Sequence, residues 1–94
     1  MYKRLTHPLA LDNAQQFFND LVILSDPDCL HVRVRQHVEA YRLIALGQHV
    51  PPSLFNEIRG FLDGLVACDV LGAEQGRELY QRLARGCESN WMHI

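Results

Sequence analysis

Three cysteines, five histidines and eleven acidic residues are the side chains of this chain with the most chemistry in them. A zinc-type centre needs Cys and His in close pairs, such as C-x₂-C with H-x₃₋₅-H. Cys29 and His31 are two apart, which a helix would turn to different sides, and His31 and His37 are six apart, again off one face. His7, His49 and His93 add no pair at ligand spacing, so neither a metal nor any other cofactor is expected. Nucleophilic catalysis would need a thiol or hydroxyl beside a base. Only the fold could bring Cys29 or Cys68 to a histidine, and Cys68 falls on an apolar stripe, where an inert buried thiol is expected. His37 also falls on such a stripe, the place of a hydrogen-bonded core histidine. The chain has no Gly-rich phosphate loop and no nucleophile elbow. Asp26 and Asp28 flank Pro27, where helix capping accounts for them. No catalytic residue is assigned, and the expectation is a non-enzyme.

Recognition has more to work with. Of nine basic residues only Lys3 is a lysine, and arginine holds planar and stacked contacts better than lysine does. Arg35, Glu39 and Arg42 share one helical face at i, i+4 and i+7, with Arg33 on its flank. As a solvated face this stripe stabilises its helix by about 0.2–0.5 kcal/mol per charge pair. As a contact it would meet an acidic protein surface or a nucleic-acid phosphate. Leu43 and Leu46 widen the apolar stripe at the end of the same helix beyond what one neighbour covers. They are either wrapped by the next helix and the tail, or exposed as a surface for a partner or for self-association. Arg33, Arg35, Arg42, Leu43 and Leu46 are therefore the candidate partner-binding residues.

Four helices must position these groups. The 94 residues suit one domain, and 48% hydrophobic with 21% charged residues is ordinary globular composition. Asp12 caps a first helix to Leu24, with Ala14, Phe17, Phe18, Leu21 and Leu24 on one stripe. Asp26-Pro27 opens a second, which runs to Leu46 and stops at Gly47. Its stripe is Leu30, Val34, His37/Val38, Tyr41 and Ile44/Ala45. Within it His31 to Arg35 alternates like a strand, which leaves a strand as the alternative there. Ser53 caps a third helix with Leu54/Phe55, Ile58, Phe61/Leu62, Leu65 and Cys68 on a wide stripe. Being the most apolar, it is expected at the centre. Its Gly60 and Gly64 each cost roughly 1 kcal/mol against alanine, which close approach of another helix would offset. Leu71-Gly72 breaks it, and a fourth helix from Ala73 to Arg85 buries Leu79, Tyr80 and Leu83. The short connection makes helices three and four an antiparallel hairpin. Residues 1–11 read as an N-terminal arm and 87–94 as a tail that Trp91 anchors to the body. The fold class is thus all-α: a single domain, 1–94, forming a compact four-helix bundle.

The stretch from Leu46 to Gly60 resembles the turn and recognition helix of helix-turn-helix repressors. The match consists of Gly47 in the turn, Val50, Ser53 opening the helix and Ile58 as core anchor. That resemblance implies a DNA-binding transcriptional regulator with Ser53, Asn56 and Arg59 facing a major groove. The chain departs from the pattern in a longer turn carrying Pro51-Pro52. Glu57 and Asp63 also outweigh Arg59. A capped core helix behind a proline loop fits the same residues.

A formal net charge of −2 argues against a dedicated nucleic-acid binder. An odd cysteine count at wide spacing fits a reducing, cytoplasmic setting. The N-terminus lacks the apolar segment of a signal peptide, and the longest aliphatic run, Leu21 to Leu24, is too short to span a bilayer, so no membrane is expected. The function expected is steric binding of another protein, perceived as a small regulator, adaptor or inhibitor. The size and texture are similar to those of phage and mobile-element accessory proteins such as anti-CRISPR proteins. A homodimeric structural protein and the DNA-binding regulator are the alternatives.

Overall fold

A computed structural model describes residues 5–47 and 51–93, and in it four helices follow one another. They are α1 (Pro8–Ser25), α2 (Val32–Ala45), α3 (Leu54–Ala67) and α4 (Ala73–Ser89). No strand occurs among the described residues, and residues 32–35 are the first turn of α2. Each helix packs against the next and α4 closes back on α1, which makes an all-α four-helix bundle. Within it α3 and α4 form the hairpin: Val66 meets Gly76 near the connection, and Phe55 lies 6.1 Å from Tyr80 further out.

No helix stands at the centre, contrary to the expectation for helix three. The deepest burial belongs to α1, which packs on both α2 and α4 and fully buries six residues against four on α3. Phe17 and Phe18 meet edge-on at 5.1 Å, and Trp91 closes over both at 5.4 and 6.4 Å. Arg42 from α2 lies over the Phe18 ring and Arg82 from α4 over the Phe17 ring, 5.8 and 5.7 Å from the ring centres. Arg82 also pairs with Asp20 at 2.9 Å. Each phenylalanine ring is thus covered by a guanidinium that also contacts α1.

The helix boundaries depart from the sequence reading where an unexpected group does the capping. α1 begins at Pro8, not at Asp12, because the His7 ring nitrogen accepts the Leu9 N–H at 3.1 Å and Pro8 takes the first helical position. The supposed arm is therefore partly helix, and Leu5 before it is buried. α4 runs on to Ser89 and takes Cys87 with it. Asn90 and Trp91 then adopt left-handed backbone, φ 53° and 64°, which turns the chain back on itself. Trp91 N–H donates to the Gly86 carbonyl at 2.6 Å, and the Trp91 carbonyl accepts from Asn13 at 2.9 Å. The Trp91 ring fills the space a side chain at Gly86 would need, so the tail is anchored as expected.

Asp26 does not cap α2. It is buried, and its carboxylate accepts the N–H groups of Leu30 at 2.8 Å and His31 at 3.0 Å. Cys29 takes a left-handed φ of 56° between them, and the helix starts only at Val32. That loop leaves Leu30 exposed instead of on the core stripe. Ser53 precedes α3, but its hydroxyl donates to Glu57 at 2.8 Å and makes no backbone cap. Gly60 and Gly64 face open space, so no neighbouring helix offsets their cost; close approach occurs at Gly76 and Gly86 on α4. Tyr80 is partly exposed. His37 is exposed too, its ring stacked on Phe61 at 5.7 Å and its Nδ1 2.8 Å from the Arg33 carbonyl oxygen. Both residues lie at the edges of apolar stripes, where periodicity alone cannot separate a core position from a flank.

Candidate docking face on α2

A helix turns about 100° per residue, so residues at steps of three and four share a face. Val34, Val38, Tyr41 and Ala45 form the inner stripe of α2, and of these only Val38 and Ala45 are fully buried. Half a turn away lie Val32, Arg35, Gln36, Glu39, Ala40 and Leu43, which together line a shallow hollow of about 400 Å³. Val32 is 52% exposed and Leu43 is 74% exposed. An apolar residue at each end of an outward stripe is more than folding requires.

The candidate arginines divide. Arg35 Nε pairs with the Asp26 carboxylate at 3.0 Å. Burial alone would raise the Asp26 pKa, but the N–H bonds from His31 and Leu30 and the charge of Arg35 outweigh it and hold the carboxyl below its ordinary value. Arg42 donates to Gln15 and, at 2.9 Å, to Asn19, and it pairs with Glu39 at 3.1 Å. Both arginines therefore tie α2 to the α1 side of the bundle. Arg33 is exposed on the flank. The outer stripe keeps one arginine and one glutamate, so it offers no net charge to select an acidic partner. The two leucines divide as well: Leu46 is half-buried against the core, while Leu43 stands out from it.

Ser53, Asn56 and Arg59 are exposed along α3. Arg59 lines a cleft of about 460 Å³ between α3 and α4 with Asp63, Arg77 and Tyr80. The surface around the three residues also carries Glu57 and Asp63, which work against phosphate binding. Lys3, His49 and Val50 lie outside the described residues.

Cys68 is exposed at the end of α3, not buried on its stripe. It shares a crevice of about 390 Å³ with His31, Asp26, Asp28 and Asp69, where the first and third loops meet. Among the described residues no hydrogen bond joins Cys68 to His31, and no three metal-ligating side chains are grouped to hold an ion. The half-buried thiol is Cys87, whose pKa burial pushes up to about 11.

Val32, Gln36 and Ala40 were missed as members of the outer face. Their signal was available: Val32 and Leu43 are eleven apart, three helical turns, and therefore on one side. With α2 starting at Val32 and not at Asp26, Leu30 falls outside the helix and Val32 opens the outer face. No helix among the described residues is long and apolar enough to cross a membrane. No protein-family model matches the chain, and no curated protein or solved structure shows significant similarity to it.

Proposed function

We propose that this chain is a non-enzymatic protein-binding module that docks through the outer face of α2. The observation behind this reading is the exposure of Val32 and Leu43 on a face opposite the core, with Ala40 between them. Apolar ends and a small centre suit the packing of another helix, and exposed apolar groups of this kind form interface anchors. Arg42 acts here by fixing the face to α1, while Arg35, paired with Asp26 through its Nε, keeps part of its side chain exposed on the face itself. The mode of action is steric: a firmly held helix blocks or bridges what it contacts. A small regulator, adaptor or inhibitor in the cytoplasm would work in this way.

The test is capture by the tagged full chain under native conditions, comparing wild type with Leu43→Asp and Val32→Asp. Loss of a stoichiometric protein partner in both, with unchanged circular dichroism, supports docking on α2. Retention of the partner by both variants places the interface elsewhere. Salt-sensitive DNA binding that Arg59→Ala weakens and Leu43→Asp does not would overturn the reading in favour of a DNA-binding regulator.

A further inference from the structure

We infer that the occupant of the α2 face is a second copy of this chain, packed antiparallel about a twofold axis. This rests on the docking reading and gives it a partner. The six outer positions, Val32, Arg35, Gln36, Glu39, Ala40 and Leu43, are spaced symmetrically about the midpoint between His37 and Val38. An antiparallel copy centred there sets Val32 level with Leu43 of the second copy, Arg35 with Ala40, and Gln36 with Glu39. Each end of the contact then joins two exposed apolar side chains. In the middle, Arg35 comes within one residue's rise, about 1.5 Å along the axis, of Glu39 of the second copy. Opposite charges meet, and Gln36 can donate to the same carboxylate. A parallel pairing would set Arg35 against Arg35 and Glu39 against Glu39. The stripe is therefore self-complementary in one direction only, as an isologous twofold contact requires.

The charged groups are also held in advance. Asp26 fixes Arg35 at its Nε while 38% of that side chain stays exposed, and Arg42 fixes Glu39, which is 54% exposed. Side chains already ordered lose less freedom on association. The stripe spans about 16 Å along the helix and has six residues, against roughly 20–30 a side in a standard interface. The dimer is accordingly weak and concentration-dependent.

Sedimentation equilibrium of the full chain, from micromolar to near-millimolar concentration, tests this. The mass should rise from 10.8 kDa towards twice that value, and Leu43→Asp should remain monomeric. Ala40 is exposed and replaceable without disturbing the core. Ala40→Glu, which adds a carboxylate level with Arg35 of the second copy, should tighten association about two- to five-fold at low salt, and Ala40→Arg should weaken it similarly. Val32→Cys combined with Leu43→Cys, in a Cys29→Ser, Cys68→Ser background, should form an intermolecular disulfide that neither single cysteine forms. Dimers cross-linked by Leu43→Cys alone would overturn the antiparallel arrangement. A mass of 10.8 kDa throughout, for wild type and Ala40→Glu alike, would overturn self-association. The docking reading would then stand or fall separately, on whether Leu43→Asp loses a heterologous protein.

Discussion

α1 and α2 lie side by side, yet they bury very different shares of themselves. α1 fully buries six of its 18 residues, including Phe17, Phe18 and Leu21, and its polar side chains serve its neighbours: Gln15 and Asn19 hold Arg42, Asp20 holds Arg82, and Asn13 holds the Trp91 carbonyl. α2 fully buries two of 14, and its outer stripe carries exposed Val32 and Leu43 at its ends, with Arg35 alone of the stripe reaching back to Asp26. Folding accounts for these buried and polar side chains of α1, though its Leu9 and Ile23 are exposed as well. On α2 folding accounts for the inner stripe and the two fixed arginines and leaves Val32, Gln36, Ala40 and Leu43 over. That surplus is the ground for the proposed docking face.

The contrast is sharpest at Trp91. Trp91→Ala removes the ring that closes over Phe17 and Phe18 and should destabilise the fold by about 3–5 kcal/mol, measured by urea denaturation. A loss below 1 kcal/mol would mean that the α1 core does not depend on the tail. Gly86→Ala places a methyl group where that ring sits and should cost about 1–3 kcal/mol by the same measurement. Alanine normally favours a helix, so a stabilised variant would contradict the packing described.

Asp26 probes the joint between the two helices. Its folded pKa is depressed below the ordinary value of 3.8. The stability this contributes is fully present above that value and is lost as pH falls through the folded pKa. Asp26→Asn should therefore unfold more easily than wild type at neutral pH, and the gap should narrow as pH falls below about 4 and close only below the depressed folded pKa. A gap independent of pH would remove the carboxylate from the account of the loop.

Leu43→Asp is the smallest effect expected on folding, within about 0.5 kcal/mol of wild type. A large loss would show Leu43 to be core and end the contrast between the faces. Thiol reactivity separates the regions in another way. At pH 8 iodoacetamide should modify exposed Cys29 and Cys68 quickly, and Cys87 only after unfolding, since burial keeps that thiol protonated. Equal rates at all three would contradict the burial of Cys87.

Much of the architecture was legible in sequence because apolar spacing of three and four residues has one physical reading. Phe17, Phe18, Ile58, Leu62, Leu79 and Leu83 all reach the core as their periodicity requires. Trp91 was legible as an anchor because a lone large aromatic in a polar tail has few other uses. Local capping was harder. His7 can cap a helix only through one ring nitrogen, and Asp26 looks like a cap until the fold buries it and gives it Leu30, His31 and Arg35. The candidate face was half legible. Leu43 is legible from its position outside the main stripe. The engagement of Arg35 and Arg42 by α1 and its loop depends on pairings across 9 residues for Asp26 and 27 for Gln15, and the latter is marked by no local pattern. The glycines failed as signals for the same reason: Gly60 and Gly64 face solvent, whereas Gly76 and Gly86 meet side chains that only the tertiary fold supplies.

Site-specific photo-cross-linking tests the docking face most directly. A photoreactive residue is placed in turn at Val32, Ala40 and Leu43 on α2, and at Asn56 on α3 and Glu78 on α4, all exposed. Protein adducts, whether with a second copy or with another chain, should form from the three α2 positions and not from the other two. Adducts from Asn56 or Glu78, with none from α2, would contradict docking through α2.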